Sequence, residues 1–258
     1  MTSSPVRSER RGATLLIVID RPEKRNAINQ AVAEGIAAAL DEFDADEGLA
    51  VGVLTGAGPG FSAGMDLREI NEGGRSSVGE RGFAGIVRYS SRKPLIAAVE
   101  GFAVAGGLEI ALACDLIVAG EGAQLGIPEV KRSLVAIGGA LLRLPQRVSE
   151  GLVREMALTG EPISAERGYQ AGLVDRLVPA GGALDAALEL AATIAASGPL
   201  AVAASKRVLD EQRDWPRDEW WERQAKLTEP TMRSADAREG AAAFVERRQP
   251  KWSGGRDE

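Results

Sequence analysis

The chain has 258 residues, 45% of them hydrophobic and 26% charged, with a net charge of −6 and no histidine. That mixture describes a globular chain with a sizeable core in one large domain or two small ones, and its acidic balance argues against non-specific nucleic-acid binding. Without histidine there is no Ser-His-Asp or Cys-His relay, and with one cysteine no basis for a metal site, so proton transfer falls to Glu, Asp, Lys, Tyr and backbone groups.

Residues 1–11, MTSSPVRSERR, are polar and basic with no apolar stretch behind them. They predict a flexible tail and lack the features of a signal peptide. An α/β segment over 12–180 follows. ATLLIVID (Ala13–Asp20), AVGVLTG (Ala50–Gly56), PLIAAVEG (Pro94–Gly101) and DLIVAG (Asp115–Gly120) have the length and branching of buried strands, and GLVDRLVP (Gly172–Pro179) adds a fifth. Between the first two, Ile28, Val32, Ile36, Leu40 and Phe43 recur at helical spacing. This alternation predicts an α/β core of strand–helix units. Ser76–Gly82, following Gly73-Gly74, is the segment expected to move most. Beyond Gly181 the pattern is helical: Ala183–Ala196, Leu200–Arg213, Asp218–Leu227 and Ala235–Arg248, divided by Ser-Gly-Pro, Trp-Pro and Glu-Pro. This 181–258 region holds all four tryptophans, and its apolar stripes require packing on the core or on another subunit. No run nears the ~18 apolar residues of a membrane span. A lone Cys114 in an apolar segment fits a cytoplasmic chain.

Three stretches carry chemistry. GAGPGFSAGMDL (Gly56–Leu67) follows a strand, but it has neither the Gly-Lys-Ser/Thr of a phosphate loop nor dinucleotide-type glycine spacing. Alone it reads as a tight strand-to-helix connection. AVAGGLEIALACD (Ala103–Asp115) sets a glutamate among small and apolar residues, with Gly106-Gly107 where a helix should start. In a first helical turn Glu109 is favoured as a carboxylate, which leaves a capping role open, while the Gly106 N–H is free for an anion or a developing oxyanion. In LGIPEVKRS, Pro128 opens a helix with Glu129 behind it. By itself Glu129 reads as a surface residue. Its interest is that a second carboxylate can meet the first from another loop.

Taken together and in this order, FSAGMDL, KPLIAAVEGFAVAGGLEIALACD, AQLGIPEV and MALTGEPISAERGYQAGLVDRLVP resemble the crotonase, or enoyl-CoA hydratase/isomerase, family from about Thr14 to the C-terminus. PEVKRSLVAIGGALLRLP is similar to a branch with carnitinyl-CoA dehydratase-like members. The resemblance implies an α/β fold, a crotonase-type spiral of ββα units, with a C-terminal α-helical trimerisation region and a homotrimer or dimer of trimers. It implies an acyl-CoA thioester substrate, no nucleic-acid or membrane partner, no metal, and no cofactor beyond the CoA of the substrate. It assigns the backbone N–H groups of Met65 and Gly106 to the thioester oxygen, Glu109 to the water that adds at Cβ, and Glu129 to the proton at Cα. Lys24, Arg25, Ala63, Asp66 and Leu67 match the substrate-binding segments. Phe244 and Arg247 match positions that reach a neighbouring subunit's nucleotide, although a solvated face of the last helix explains them nearly as well. Ile137 stands where a small glycine usually lies near the water, Lys131 and Arg132 replace apolar residues, and Ala105 replaces the first of three glycines. The implied activity is reversible syn hydration of trans-2-enoyl-CoA. Carnitinyl-CoA-like dehydration, double-bond isomerisation and non-catalytic acyl-CoA binding are the alternatives, and retention of both glutamates favours water chemistry.

Overall fold

The computed structural model describes residues 4–255, except for the side chain of Ile70. Its main sheet has six strands in the order Val6–Arg11, Thr14–Ile19, Val51–Gly56, Leu95–Val99, Leu116–Gly120 and Arg176–Val178. The first pair is antiparallel and the remaining neighbours are parallel. Alternate residues of one strand enter different cores, as the two-residue period of a strand requires. Leu15, Ile17 and Ile19 meet Val32, Ile36, Leu40 and Phe43 of the helix Gln30–Ala45. Leu16 and Val18 join Val51, Val53, Ile96 and Ala98 beneath Ala183, Ala187, Leu190 and Ala191 of the helix Ala183–Ala195.

A second sheet decides where the glutamates fall. After Leu95–Val99 the chain turns at Gly101, where a side chain would stand 2.0 Å from the Pro59 carbonyl oxygen, and runs on as the strand Phe102–Val104 and the helix Gly106–Leu112. The next turn repeats the device: Leu116–Gly120, then Gln124–Gly126, then the helical turn Pro128–Arg132. Phe102–Val104 and Gln124–Gly126 are parallel neighbours with Val104 opposite Gly126. Glu109 and Glu129 therefore leave the same end of two adjacent strands. The fold is a spiral of strand–strand–helix units.

Three expectations need correction. Residues 6–11 are not a tail; Val6–Arg11 pairs residue for residue with Thr14–Ile19 and forms the outer strand, the connecting Gly12 adopting φ +63°. Only Val6 turns inward, against Gly35, so the stretch has no apolar alternation to reveal it. Ser76–Gly82 is a folded hairpin: Ser77–Val78 pairs with Gly82–Phe83, and Arg81 stacks 4.0 Å from the Tyr89 ring centroid while pairing with Asp41. The third C-terminal helix, Trp220–Arg233, continues through Pro230 instead of ending near Leu227. It buries no residue, so solvent can take the carbonyl that proline leaves without a donor.

Of the C-terminal helices, Ala183–Ala195 belongs to the core, whereas Pro199–Glu211 and Trp220–Arg233 bury nothing. Lys206 fastens this arm to the core, its Nζ 2.6 Å from Asp115 and 2.9 Å from Asp210. No single helix among the described residues is long and apolar enough to cross a membrane.

Candidate active site

The loop Gly56–Leu67 is welded to the turn after the second strand. Asn26, fully buried, donates to the carbonyls of Ala57 (2.8 Å) and Gly60 (2.7 Å) and accepts from the Arg21 N–H (2.9 Å). Ser62 Oγ donates to the Asn26 carbonyl at 2.8 Å. Ile28 then grips the loop on both sides of Met65: its N–H donates to the Gly64 carbonyl and its carbonyl accepts from the Asp66 N–H, at 2.8 and 3.0 Å. This parallel bridge leaves the Met65 N–H itself without a partner among the described residues. The Gly106 N–H, first in its helix, is also without a partner among the described residues. A Cβ on Gly106 would stand 2.5 Å from the Phe83 ring, so a larger residue here would have to displace that ring.

Glu109 sits one turn into that helix and is buried. Its Oε1 accepts the Ala140 N–H at 3.2 Å, and a Cβ on Gly138 would lie 2.3 Å from its Oε2. Burial pushes its protonation upward, opposed by the N–H groups of Ala140, Gly138 and Gly139 and by the Arg143 charge. Glu129 is also pushed upward, mainly by burial and further by the negative charge of Glu109. Its Oε2 is buried with no hydrogen-bond partner among the described residues. The two carboxyls thus differ: Glu109 has the N–H groups of the turn and a cation, whereas Glu129 has its own backbone N–H alone, no cation, and feels the charge of the first.

The other residues that match the family's substrate-binding segments lie in varied settings. Lys24 and Arg25 are exposed, with Arg25 lying 4.5 Å from the Phe102 ring centroid and its carbonyl accepting the Ala63 N–H at 3.0 Å. Leu67 is exposed and Ala63 half-buried beside Met65. The Asp66 carboxylate is held by Arg21 at 3.2 Å, with Glu69 on the same guanidinium. Arg21 is therefore a strut of this loop. Ile137 is 80% exposed, which puts its side chain at the surface of the loop that supplies Gly138. Phe244 and Arg247 lie exposed at the end of Ala235–Glu246, with no described contact to either glutamate. Asn26, Ser62, Phe83 and Arg143 were not anticipated; only their buried neighbours, far away in sequence, give them their places. A cavity of about 920 Å³, lined by Tyr89, Cys114, Arg143 and Lys206 among others, opens between core and arm, and neither glutamate lines it.

The strand–strand–helix spiral with a helical C-terminal region is the crotonase fold. An enoyl-CoA hydratase structure from Mycobacterium tuberculosis superposes with a TM-score of 0.96 and 51% identity, covering 98% of this chain and 100% of that one. The chain belongs to the enoyl-CoA hydratase/isomerase family, whose model matches residues 9–255. Another M. tuberculosis protein, an enoyl-CoA hydratase, is 40% identical over 95% of this chain and 94% of its own length. A carnitinyl-CoA dehydratase of Salmonella arizonae is 39% identical over 98% of this chain and 99% of its own length.

Proposed function

We propose that the protein is an enoyl-CoA hydratase that adds water reversibly, and syn, across a trans-2-enoyl-CoA. The observation that carries this reading is the inequality of the two carboxyls: Glu109 held by the Ala140 N–H, Glu129 with a buried oxygen that has no partner among the described residues. In the reactive state Glu109 is ionised and Glu129 protonated. The thioester oxygen lies between the N–H groups of Met65 and Gly106. Glu109 takes a proton from water as the water oxygen bonds to Cβ. The double-bond electrons move to the thioester oxygen, where the two N–H groups stabilise the enolate; one such donor is worth roughly 3–4 kcal/mol elsewhere. The electron pair then returns to Cα and takes the proton of Glu129. A proton passing from Glu109 to Glu129 resets the pair, whose titration is shared. Every proton is carried by a carboxyl, so the reading needs no metal or cofactor other than the CoA of the substrate.

Lys24 and Arg25 supply local positive charge for the CoA phosphates of this acidic chain. The exposed arm makes the assembly, a trimer or a pair of trimers, and carries Phe244 and Arg247 toward a neighbour's nucleotide. Sedimentation checks the assembly. We place the enzyme in the cytoplasm on its single buried cysteine.

The test is loss of enoyl-thioester absorbance with crotonyl-CoA, alongside Glu109→Gln and Glu129→Gln. Each variant should lose about 10²–10⁴ in kcat. Bound but unreacted crotonyl-CoA and longer enoyl esters would defeat the reading. Dehydration of carnitinyl-CoA is the second reading, favoured by the dehydratase relatives. A kcat/KM higher for carnitinyl-CoA than for crotonyl-CoA would select it.

A further inference from the structure

Arg143 closes the short helix Ala140–Arg143 that follows the Gly138–Gly139 turn, and its side chain points back along that turn. One guanidinium nitrogen donates to the Val87 carbonyl at 2.6 Å and another to the Gly138 carbonyl at 3.4 Å. A Cβ on Gly139 would stand 2.2 Å from the same Arg143 Nη1, just as a Cβ on Gly138 would strike Glu109. Carboxylate and guanidinium grip the same three residues, and Gly139 also lies at φ +107°, a conformation that favours glycine. Glu109 takes the turn by its Ala140 N–H, and Arg143 takes it by the Gly138 carbonyl. The bond to Val87 reaches the segment whose Phe83 ring backs Gly106. Glu109 and Gly106 are therefore braced through one side chain.

The surroundings are sparse in charge. Arg143 is the cation acting on Glu109, and Glu109 in turn acts on Glu129. The other titratable groups that face Arg143 are Cys114 and Arg147. A planar fork with two carbonyls at fixed directions is a task for arginine that lysine performs poorly.

We propose that Arg143 is a positioning residue of the reaction: it clamps the Gly138–Ala140 turn against Glu109 and brings a positive charge to the Glu109 side of the pair. This rests on the hydratase reading above. It assigns Arg143 two separable effects, geometry and charge.

Arg143→Gln removes both effects, whereas Arg143→Lys keeps the charge and loses the fork. With crotonyl-CoA, kcat should fall roughly a hundredfold in the first and about tenfold in the second, with KM changed less than about threefold. The acid limb of the pH profile should move to higher pH in Arg143→Gln and stay in place in Arg143→Lys, because a cation favours the ionised form of Glu109. Carbon-13 carboxyl titration, assigned with Glu109→Gln and Glu129→Gln, reads the same quantity without turnover. Glu109 should ionise below Glu129 in the parent, and its step should rise in Arg143→Gln. A folded Arg143→Gln with an unmoved Glu109 step and acid limb overturns the proposal. A parent enzyme inert toward every enoyl-CoA defeats the hydratase reading instead, while the carboxyl titration still decides what Arg143 does to Glu109.

Discussion

The backbones of Gly64 and Gly106 approach so closely that a Cβ on Gly64 would stand 2.7 Å from the Gly106 nitrogen. Gly64 also lies at φ +85°. Gly64→Ala should therefore cost about 1–3 kcal/mol of stability from strain and about 10²–10³ in kcat through a displaced or blocked donor. Gly73 is the control, with φ +85° and no atom within 4 Å of its missing Cβ. Gly73→Ala should lose stability and keep kcat. Denaturant unfolding and steady-state rates on both variants separate the two effects, and equal loss of kcat would show that crowding at Gly106 is not the cause.

The Glu129 carboxyl holds its proton more tightly in the folded chain than an ordinary carboxylate does, because burial and the Glu109 charge oppose ionisation. The folded state therefore binds more protons than the unfolded state between the ordinary and the raised value, and stability is lost as pH rises through that window. Glu129→Gln removes the ionisation. Its melting temperature should exceed that of the parent at about pH 8, with the gain shrinking toward about pH 4. A gain independent of pH would mean that packing, and not ionisation, sets it.

Ile137, 80% exposed, contributes little to the core. Ile137→Ala should change stability by less than about 0.5 kcal/mol. If its side chain borders the acyl group, the kcat/KM ratio of long to short enoyl-CoA should rise by about tenfold or more. An unchanged ratio would remove Ile137 from the substrate's path.

Burial pushes the Cys114 thiol up to about 12, and its Sγ lies 3.6 Å from the Ile110 carbonyl. The thiolate is the reactive form, so a disulfide reagent should leave the native protein unmodified at neutral pH and modify it fully on unfolding. Labelling within the dead time of mixing would contradict the burial. Slow labelling would report how often this part of the core opens.

Much of this was legible in the sequence because each signal was local. Buried strands such as Ala13–Asp20 read as apolar runs, and the residues matching the family's donors and glutamates sit in short, unbroken motifs. Glu109 was visible as a charge among alanines. What escaped was whatever depended on distant partners. Arg143 looks like one face of a short surface helix, and its meaning comes from Val87, far back in the chain. Asp66 stands in a motif that resembles a substrate loop, yet Arg21 holds it from the other side of that loop. Pro230 reads as a helix stop, and the helix runs through it because nothing buried there needs the missing bond.

The outer strand has a further consequence. Val6–Arg11 is one edge of the main sheet, and its last five side chains, Arg7, Ser8, Glu9, Arg10 and Arg11, are all exposed. Arg7 and Arg10 pair with Asp20 and Asp46, at 2.7 and 2.5 Å. A strand from another molecule adding here would have to align against this row of charge and disturb those pairs. Charged edge strands are how sheet proteins refuse such addition. The same residues that make the opening of the chain look like a solvated tail thus guard a sheet of apolar strands against aggregation.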